Sequence, residues 1–103
     1  MFVNKKYSSD DIVSFKLVNG DEMVAKMVEE TSSHYRVAKP TMLVPSQQGL
    51  GLMQAMISGD PNKEYDISKE HVMLVNHTVS QIASHYIETT TGIATVPKGS
   101  IIT

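Results

Sequence analysis

The dipeptide Asn19-Gly20 constrains the fold more than any other feature of the sequence, because it separates two alternating segments. Asn-Gly is the strongest short-range signal for a β-hairpin, since both residues tolerate the positive φ that a tight turn requires. Before this dipeptide, residues 12–18 alternate between apolar and polar side chains, and residues 21–29 after it do the same. This alternation is typical of strands with one buried face. The chain is therefore predicted to contain an antiparallel hairpin over residues 12–29.

The register of this hairpin follows from matching the two faces of its strands. A two-residue loop would set apolar residues opposite charged ones. A three-residue loop, 18–20, instead pairs Phe15 with Met23 and Lys16 with Glu22. In this register apolar side chains lie opposite apolar ones, and the lysine lies opposite a carboxylate. We predict this longer loop, in which a type I turn is followed by a glycine at positive φ in a β-bulge.

Three further segments with strand character follow the hairpin. Residues 34–44 form a third strand, which should bend or expose an edge near Lys39-Pro40 because proline cannot donate to the ladder. Residues 49–57 are apolar on both faces, as in a strand buried between its sheet and a partner. Residues 64–77 complete the sheet as one strand or two short ones, with residues 72–75 at the core. Together with the hairpin, these segments predict a sheet over residues 12–77.

Apolar residues at helical spacing predict one amphipathic helix over residues 79–91. Thr78 and Gln81 fit a capping box at its start, and Gly92 fits a Schellman stop at its end. The face predicted to be buried comprises Val79, Ile82, Ala83 and Tyr86. No element is assigned to the tail, residues 94–103.

These elements predict a single domain, residues 1–103, of the mainly β class. We expect a strongly bent five-stranded antiparallel sheet, or small barrel, with one C-terminal amphipathic helix. The chain has no cysteine, which favours a reducing cytoplasm, of a cell or of a virus-infected bacterial host. No apolar stretch suggests a signal peptide or a membrane span, so we expect no membrane partner.

The charge balance restricts the binding functions that the chain can have. Nine basic and eleven acidic side chains give a net charge of −2. Proteins that coat nucleic acid nonspecifically are usually basic, because neutralising phosphates supplies most of their affinity. A nucleic-acid function is therefore expected to depend on a local site.

The sequence lacks the motifs of the common enzymes and metal sites. It has no nucleophile elbow, P-loop or dinucleotide-binding fingerprint, and its four histidines do not form the i, i+4 pair of a helical zinc site. Residues 60–71 resemble a calcium loop, but Tyr65 and His71 replace the required glycine and glutamate. We predict no catalytic residue, no metal site, no cofactor and no enzymatic activity.

Two short polar groups are candidates for nucleic-acid binding. His34-Tyr35-Arg36 with Lys39 combines two rings and two cations, the pairing that stacks a base and holds a phosphate. The alternative, which strand alternation favours, places Tyr35 in the core and Arg36 outward. Asn76-His77 ends the last strand; it is either a second polar tip or a lead into the helix cap. The predicted nucleic-acid-binding residues are His34, Tyr35, Arg36, Lys39, Asn76 and His77.

The segment from Phe15 to Glu22 resembles the first motif of the Sm family, in which a strand, an Asn-Gly turn and an acidic residue open a five-stranded bent sheet. The bent third strand and the following strands fit in the same order. The chain is most similar to the small Sm-like proteins of tailed phages that infect marine bacteria. This resemblance implies a homo-oligomeric ring whose subunits join edge to edge through strands four and five. The interface residues that it implies are Leu50, Leu52, Met53, Ile57, Val72 and Leu74.

The chain also departs from the Sm pattern. Ala25 replaces a glycine, while Thr31 and Tyr35 stand where Sm proteins carry the Asp and Asn that grip the base. The second motif, at Ile57-Ser58-Gly59, lacks its arginine, and the helix follows the sheet instead of preceding it. The ring is therefore expected without the uridine pocket of the family.

Two functions are left open. In the first, the chain is an Sm-like ring subunit that binds single-stranded RNA or DNA and serves RNA or DNA processing. In the second, the same small β-barrel is a protein-interaction or virion-assembly module, which the acidic charge favours.

Overall fold

The computed structural model describes residues 6–91, which form a mainly β protein with one helix at the C-terminal end of that range. The elements are β1 (Ile12–Leu17), β2 (Glu22–Glu30), β3 (His34–Ser46), β4 (Gly49–Gln54), β5 (Glu64–Ser68), a 3-10 helix (Lys69–His71), β6 (Val72–His77) and α1 (Ser80–Thr91). The predicted tail, residues 94–103, and the predicted stop at Gly92 lie outside the described residues.

All strand pairs are antiparallel, and the sheet runs in the order β4-β3-β2-β1-β6. Strand β5 also pairs with β3. The final stretch is thus two strands separated by a 3-10 helix, which was one of the two predicted possibilities. Within residues 6–91 the sheet is not closed, so the small barrel is not confirmed although the mainly β class and the C-terminal helix are.

The predicted hairpin register is confirmed. Phe15 lies opposite Met23, and Lys16 lies opposite Glu22. Gly20 has a φ of 96° and its N–H donates to the carbonyl oxygen of Leu17 at 2.9 Å, which is the expected turn. The matching of both faces therefore determined the loop length correctly.

Strand β3 bends near Pro40 as predicted, and its neighbours change at this point. Lys39 has a φ of 50°, in the left-handed region, and the β2–β3 register shifts between Val24 and Lys26. On its other edge, β3 pairs with β5 up to Ala38 and with β4 from Thr41. The bend thus divides β3 between two neighbouring strands.

Residues 55–57, predicted to continue the fourth strand, instead form bends and a turn after Gln54. The loop that they open folds closely on itself, since the Tyr65 hydroxyl donates to the Asp60 carbonyl at 2.9 Å. A Cβ added to Gly59 would approach the same hydroxyl to 2.3 Å, so any larger residue here would have to displace the Tyr65 side chain.

The main core lies on one face of the sheet, and Val24 and Tyr86 are buried outside that cluster. The buried apolar cluster comprises Tyr7, Val13, Phe15, Met23, Ala25, Met27, Tyr35 and Val37. On α1 the prediction is confirmed for Tyr86, which is 1% exposed, and Ile82 and Ala83 are half-buried. It is wrong for Val79, which is 62% exposed because the helix begins only at Ser80.

The start of α1 also differs from the predicted capping box. The Thr78 hydroxyl lies 2.7 Å from the Ser14 hydroxyl. This hydrogen bond attaches the residues just before α1 to strand β1. No helix within residues 6–91 is long and apolar enough to cross a membrane.

Candidate functional site

Arg36, the central predicted phosphate ligand, is held by carboxylates from both neighbouring strands. In the register of the sheet, Asp66 of β5 and Glu29 of β2 lie opposite it. Its Nε donates to Asp66 Oδ1 at 3.0 Å, and a second guanidinium nitrogen lies 3.6 Å from Glu29 Oε1. The hydrogen bond from Arg36 lowers the pKa of the Asp66 carboxyl. The cation is therefore partly exposed but already balanced by two anions.

His34 lies beside this ion pair and closes the turn between β2 and β3. Its Nδ1 is 3.1 Å from the hydroxyls of both Thr31 and Ser33. Its Nε2 is buried without a hydrogen bond, 3.8 Å from Asp66 Oδ1. His34 and Arg36 thus meet at the Asp66 carboxylate. Of the predicted nucleic-acid-binding residues, these two lie together on the surface.

Tyr35 does not belong to that surface, so its predicted role in base stacking is corrected. It is 6% exposed, and its ring lies 5.2 Å from the Phe15 ring and 6.4 Å from the Tyr7 ring, centroid to centroid. The side chains of His34 and Arg36 point away from the core while that of Tyr35 points into it, as strand alternation requires. Burial raises the pKa of the Tyr35 hydroxyl, and the Glu30 carboxylate raises it further.

Lys39 lies at the bend of β3, and its backbone forms the hydrogen bonds found at this residue. Its carbonyl oxygen accepts hydrogen bonds from the Tyr86 hydroxyl at 2.9 Å and from Thr41 Oγ1 at 3.0 Å. It also lines a groove of about 250 Å³ between α1 and the β3–β4 hairpin. The other lining residues are Pro40, Thr41, Leu52, Met53, Gln54, Met56, Pro61, Tyr65, Thr89 and Thr90.

Asn76 and His77 lie on β6, separated from β3 by two strands in the sheet. His77 Nε2 is 3.1 Å from Asp11 Oδ2, and its ring centroid is 4.9 Å from that of Tyr7. Asn76 accepts a hydrogen bond from the His77 N–H at 2.9 Å. The pKa of Asp11 is lowered, first by the Ser8 backbone N–H and then by His77. The second polar tip therefore does not join the Arg36 cluster.

A buried ion pair between Glu30 and Lys69 was missed by sequence reasoning. Glu30 is 5% exposed; its Oε2 accepts from Lys69 Nζ at 2.9 Å, and its Oε1 accepts from the backbone N–H groups of Lys6 and Tyr7 at 3.0 and 3.2 Å. Lys69 Nζ also lies 4.9 Å from the centroid of the Tyr35 ring. The only available signal was the Glu29-Glu30 pair at the end of a strand, where alternation turns one carboxylate inward.

The predicted interface residues lie on the two strands that end the sheet and on the loop after β4. Met53 of β4 is 47% exposed and Leu74 of β6 is 65% exposed. Leu50 and Ile57 are also exposed, whereas Leu52 and Val72 are half-buried and Val72 packs against the core. Two further exposed methionines on these surfaces, Met56 and Met73, were not predicted.

Residues 6–91 contain no group of three or more carboxylate, imidazole or thiol side chains that could hold a metal ion. No protein-family description matches the sequence. No curated protein matches it significantly.

Proposed function

We propose that the chain is the subunit of a closed homo-oligomeric ring with Sm-like organisation. The observation that carries this proposal is that β4 and β6, each of six residues, end the main strand order of the described chain with one edge unpaired and bear exposed apolar side chains. Within residues 6–91, strand β5 also has one free edge, but it bears no large exposed apolar side chain. An exposed apolar edge strand promotes aggregation unless another strand covers it.

Pairing between β4 of one subunit and β6 of the next would cover both edges at once. Because the two edges are different surfaces, the contact is head-to-tail, and head-to-tail contacts close into rings when their rotation allows. Met53 on β4, and Met73 and Leu74 on β6, would then leave water together.

The ring is tested by replacing Met53 with Lys. A lysine buried at the junction without a partner opposes association, so the variant should be a monomer where the wild type is a larger species. Light scattering coupled to size exclusion, at micromolar concentration, measures both masses. Ile87→Lys is the matched control, because Ile87 is exposed on α1 and lies on neither edge. A wild-type monomer of 11.3 kDa would contradict the ring.

Binding of single-stranded nucleic acid is the second candidate function. The observation that favours it is that His34 and Arg36 share Asp66 at a partly exposed site. A phosphate would compete with Asp66 and Glu29 for the guanidinium, so affinity should be weak for one site. Ring symmetry would multiply the sites around the central opening.

This candidate predicts opposite effects at the two ends of one ion pair. Arg36→Ala should weaken binding of single-stranded RNA or DNA and flatten its dependence on salt, since a phosphate contact is lost. Asp66→Asn should strengthen binding because it frees the guanidinium. Lys26→Ala is the control for the loss of one positive charge. Lys26 lies on β2 and forms an ion pair with Asp10. Oligonucleotide titrations at several salt concentrations measure these affinities.

Absence of binding at about 50 mM salt, with the oligomer intact, would contradict the nucleic-acid function. The ring would then be a protein-interaction or virion-assembly module, for which the exposed apolar residues near β4 and β6 are the contact surface.

A further inference from the structure

Residues 6–10, here called the N-terminal strap, cover part of the core without joining the sheet. The Tyr7 ring lies against two aromatic residues on different strands, Tyr35 of β3 and His77 of β6, with centroid distances of 6.4 and 4.9 Å. Residues 6–8 have no strand pairing. The strap therefore packs like a core element although it is not hydrogen-bonded as one.

One side chain holds the backbone at the start of this strap, while its end is held by Met27 and by an ion pair between Asp10 and Lys26. The backbone N–H groups of Lys6 and Tyr7 both donate to the same carboxylate oxygen of Glu30. Asp10 ends the strap with a φ of 77°, and its N–H donates to the Met27 carbonyl at 2.7 Å. A segment with few backbone bonds to the sheet is expected to open at lower free energy than the sheet itself.

We propose that the N-terminal strap is a lid, held closed by Glu30, that opens separately from the sheet and uncovers the buried Tyr35 ring. The charged and titratable groups facing the Glu30 carboxylate are Lys69 from the 3-10 helix, Tyr7 from the strap and Tyr35 from β3. Asp11 faces His77 at the other side of the Tyr7 ring. Opening exposes the Tyr35 ring, one of the two rings that the sequence had marked for base stacking, so the lid would control access to that ring.

Hydrogen exchange of single amides tests the separate opening. In the wild type, the Lys6 and Tyr7 amides should exchange faster than that of Met27, and their rates should depend little on low denaturant concentrations. Glu30→Gln should speed exchange of the two strap amides by about tenfold or more while changing Met27 much less. Lys6→Ala is the control, because Lys6 contributes only its backbone N–H to the contact with Glu30.

Access to Tyr35 gives a second readout that does not depend on any ligand. Tetranitromethane nitrates accessible tyrosines, and mass spectrometry locates the product. Tyr35, which is 6% exposed, should react faster than Tyr86, which is 1% exposed and belongs to α1. Because Tyr35 starts slightly more exposed, the deciding result is that Glu30→Gln widens this difference. Equal protection of the two tyrosines in both proteins, or strap amides that exchange only together with Met27, would overturn the proposal. Either result is independent of whether the ring forms or nucleic acid binds.

Discussion

Glu30 shows how a buried carboxylate is kept ionised in a small core. Burial acts to raise the pKa of Glu30, but hydrogen bonds from Lys69 and from the N–H groups of Lys6 and Tyr7 outweigh it. The pKa of Glu30 is therefore lowered from its ordinary 4.5. One carboxylate joins β2, the strap and the 3-10 helix.

We predict that Glu30→Gln costs roughly 1–3 kcal/mol of unfolding free energy at neutral pH. The unfolded chain protonates Glu30 near its ordinary pKa and the folded chain only below it, so the contribution is complete above 4.5 and is lost as pH falls through the lowered value. Urea unfolding of both proteins from pH 7 to about pH 3 measures the difference, which should shrink in acid. The lowered pKa values of Asp11 and Asp66 act in the same direction but are present in both proteins. A difference that is constant with pH would contradict the role of the charge.

At the scale of elements, α1 depends on the side chain of Tyr86. This ring is among the largest fully buried side chains, and its hydroxyl donates to the carbonyls of Ala38 and Lys39 where β3 bends. Burial raises the pKa of Tyr86 to about 12, although a hydrogen bond from the Lys26 N–H opposes the shift. The helix thus bonds to the backbone at the bend, where Lys39 is paired with no residue of a neighbouring strand within residues 6–91.

Tyr86→Ala should therefore reduce the unfolding free energy by roughly 3–5 kcal/mol, since it removes a large buried side chain and leaves a cavity. Tyr86→Phe should cost only about 1 kcal/mol, for the hydroxyl alone. Ile87→Ala, at the neighbouring exposed position, should stay within about 0.5 kcal/mol. Urea denaturation followed by circular dichroism gives all three values. Similar small losses for all three variants would mean that α1 is not docked through Tyr86.

The elements that the sequence predicted best are those whose residues interact locally. The 12–29 hairpin could be aligned because both of its faces had to match across one short loop, and Gly20 then had to take positive φ. Alternation likewise favoured a core position for Tyr35, which is where it lies. The local sequence pattern was therefore enough to predict the first two strands and the mainly β class of the fold.

The features that the sequence did not show depend on contacts between distant residues. Thr78 caps no helix because Ser14, far away in sequence, holds its hydroxyl. The charge of Arg36 is balanced by Asp66, a partner that becomes visible only once β5 is aligned with β3. Glu30 pairs with Lys69 for the same reason. A candidate site chosen from neighbouring residues cannot show which of its charges are already neutralised.

At the scale of the whole molecule, the exposed apolar residues are concentrated at the two ends of the sheet and in the loop after β4. They include Met53, Met56 and Ile57 on one side and Met73 and Leu74 on the other. Large exposed apolar patches on small proteins usually mark interaction surfaces. The proposed ring accounts for both patches with one repeated contact.

A ring that forms only from folded subunits should be stabilised by mass action. We predict that the melting temperature of the wild type rises with protein concentration, whereas that of Met53→Lys does not. Scanning calorimetry over about a hundredfold range of concentration measures the dependence. A wild-type melting temperature that is independent of concentration would contradict association of folded subunits in this range.

The placement of β1 has a consequence for the order in which a subunit becomes able to assemble. On one side Val13 of β1 pairs with Ala25, only twelve residues away, but on the other it pairs with His77, sixty-four residues away. Closing the longer loop costs more chain entropy, so the hairpins of β1 to β4 are expected to form before β6 docks. In the proposed ring, β6 supplies one of the two joining edges. A partly folded chain would thus have β4 available for pairing but not β6. Only subunits whose β6 has already docked could then take part in a closed ring.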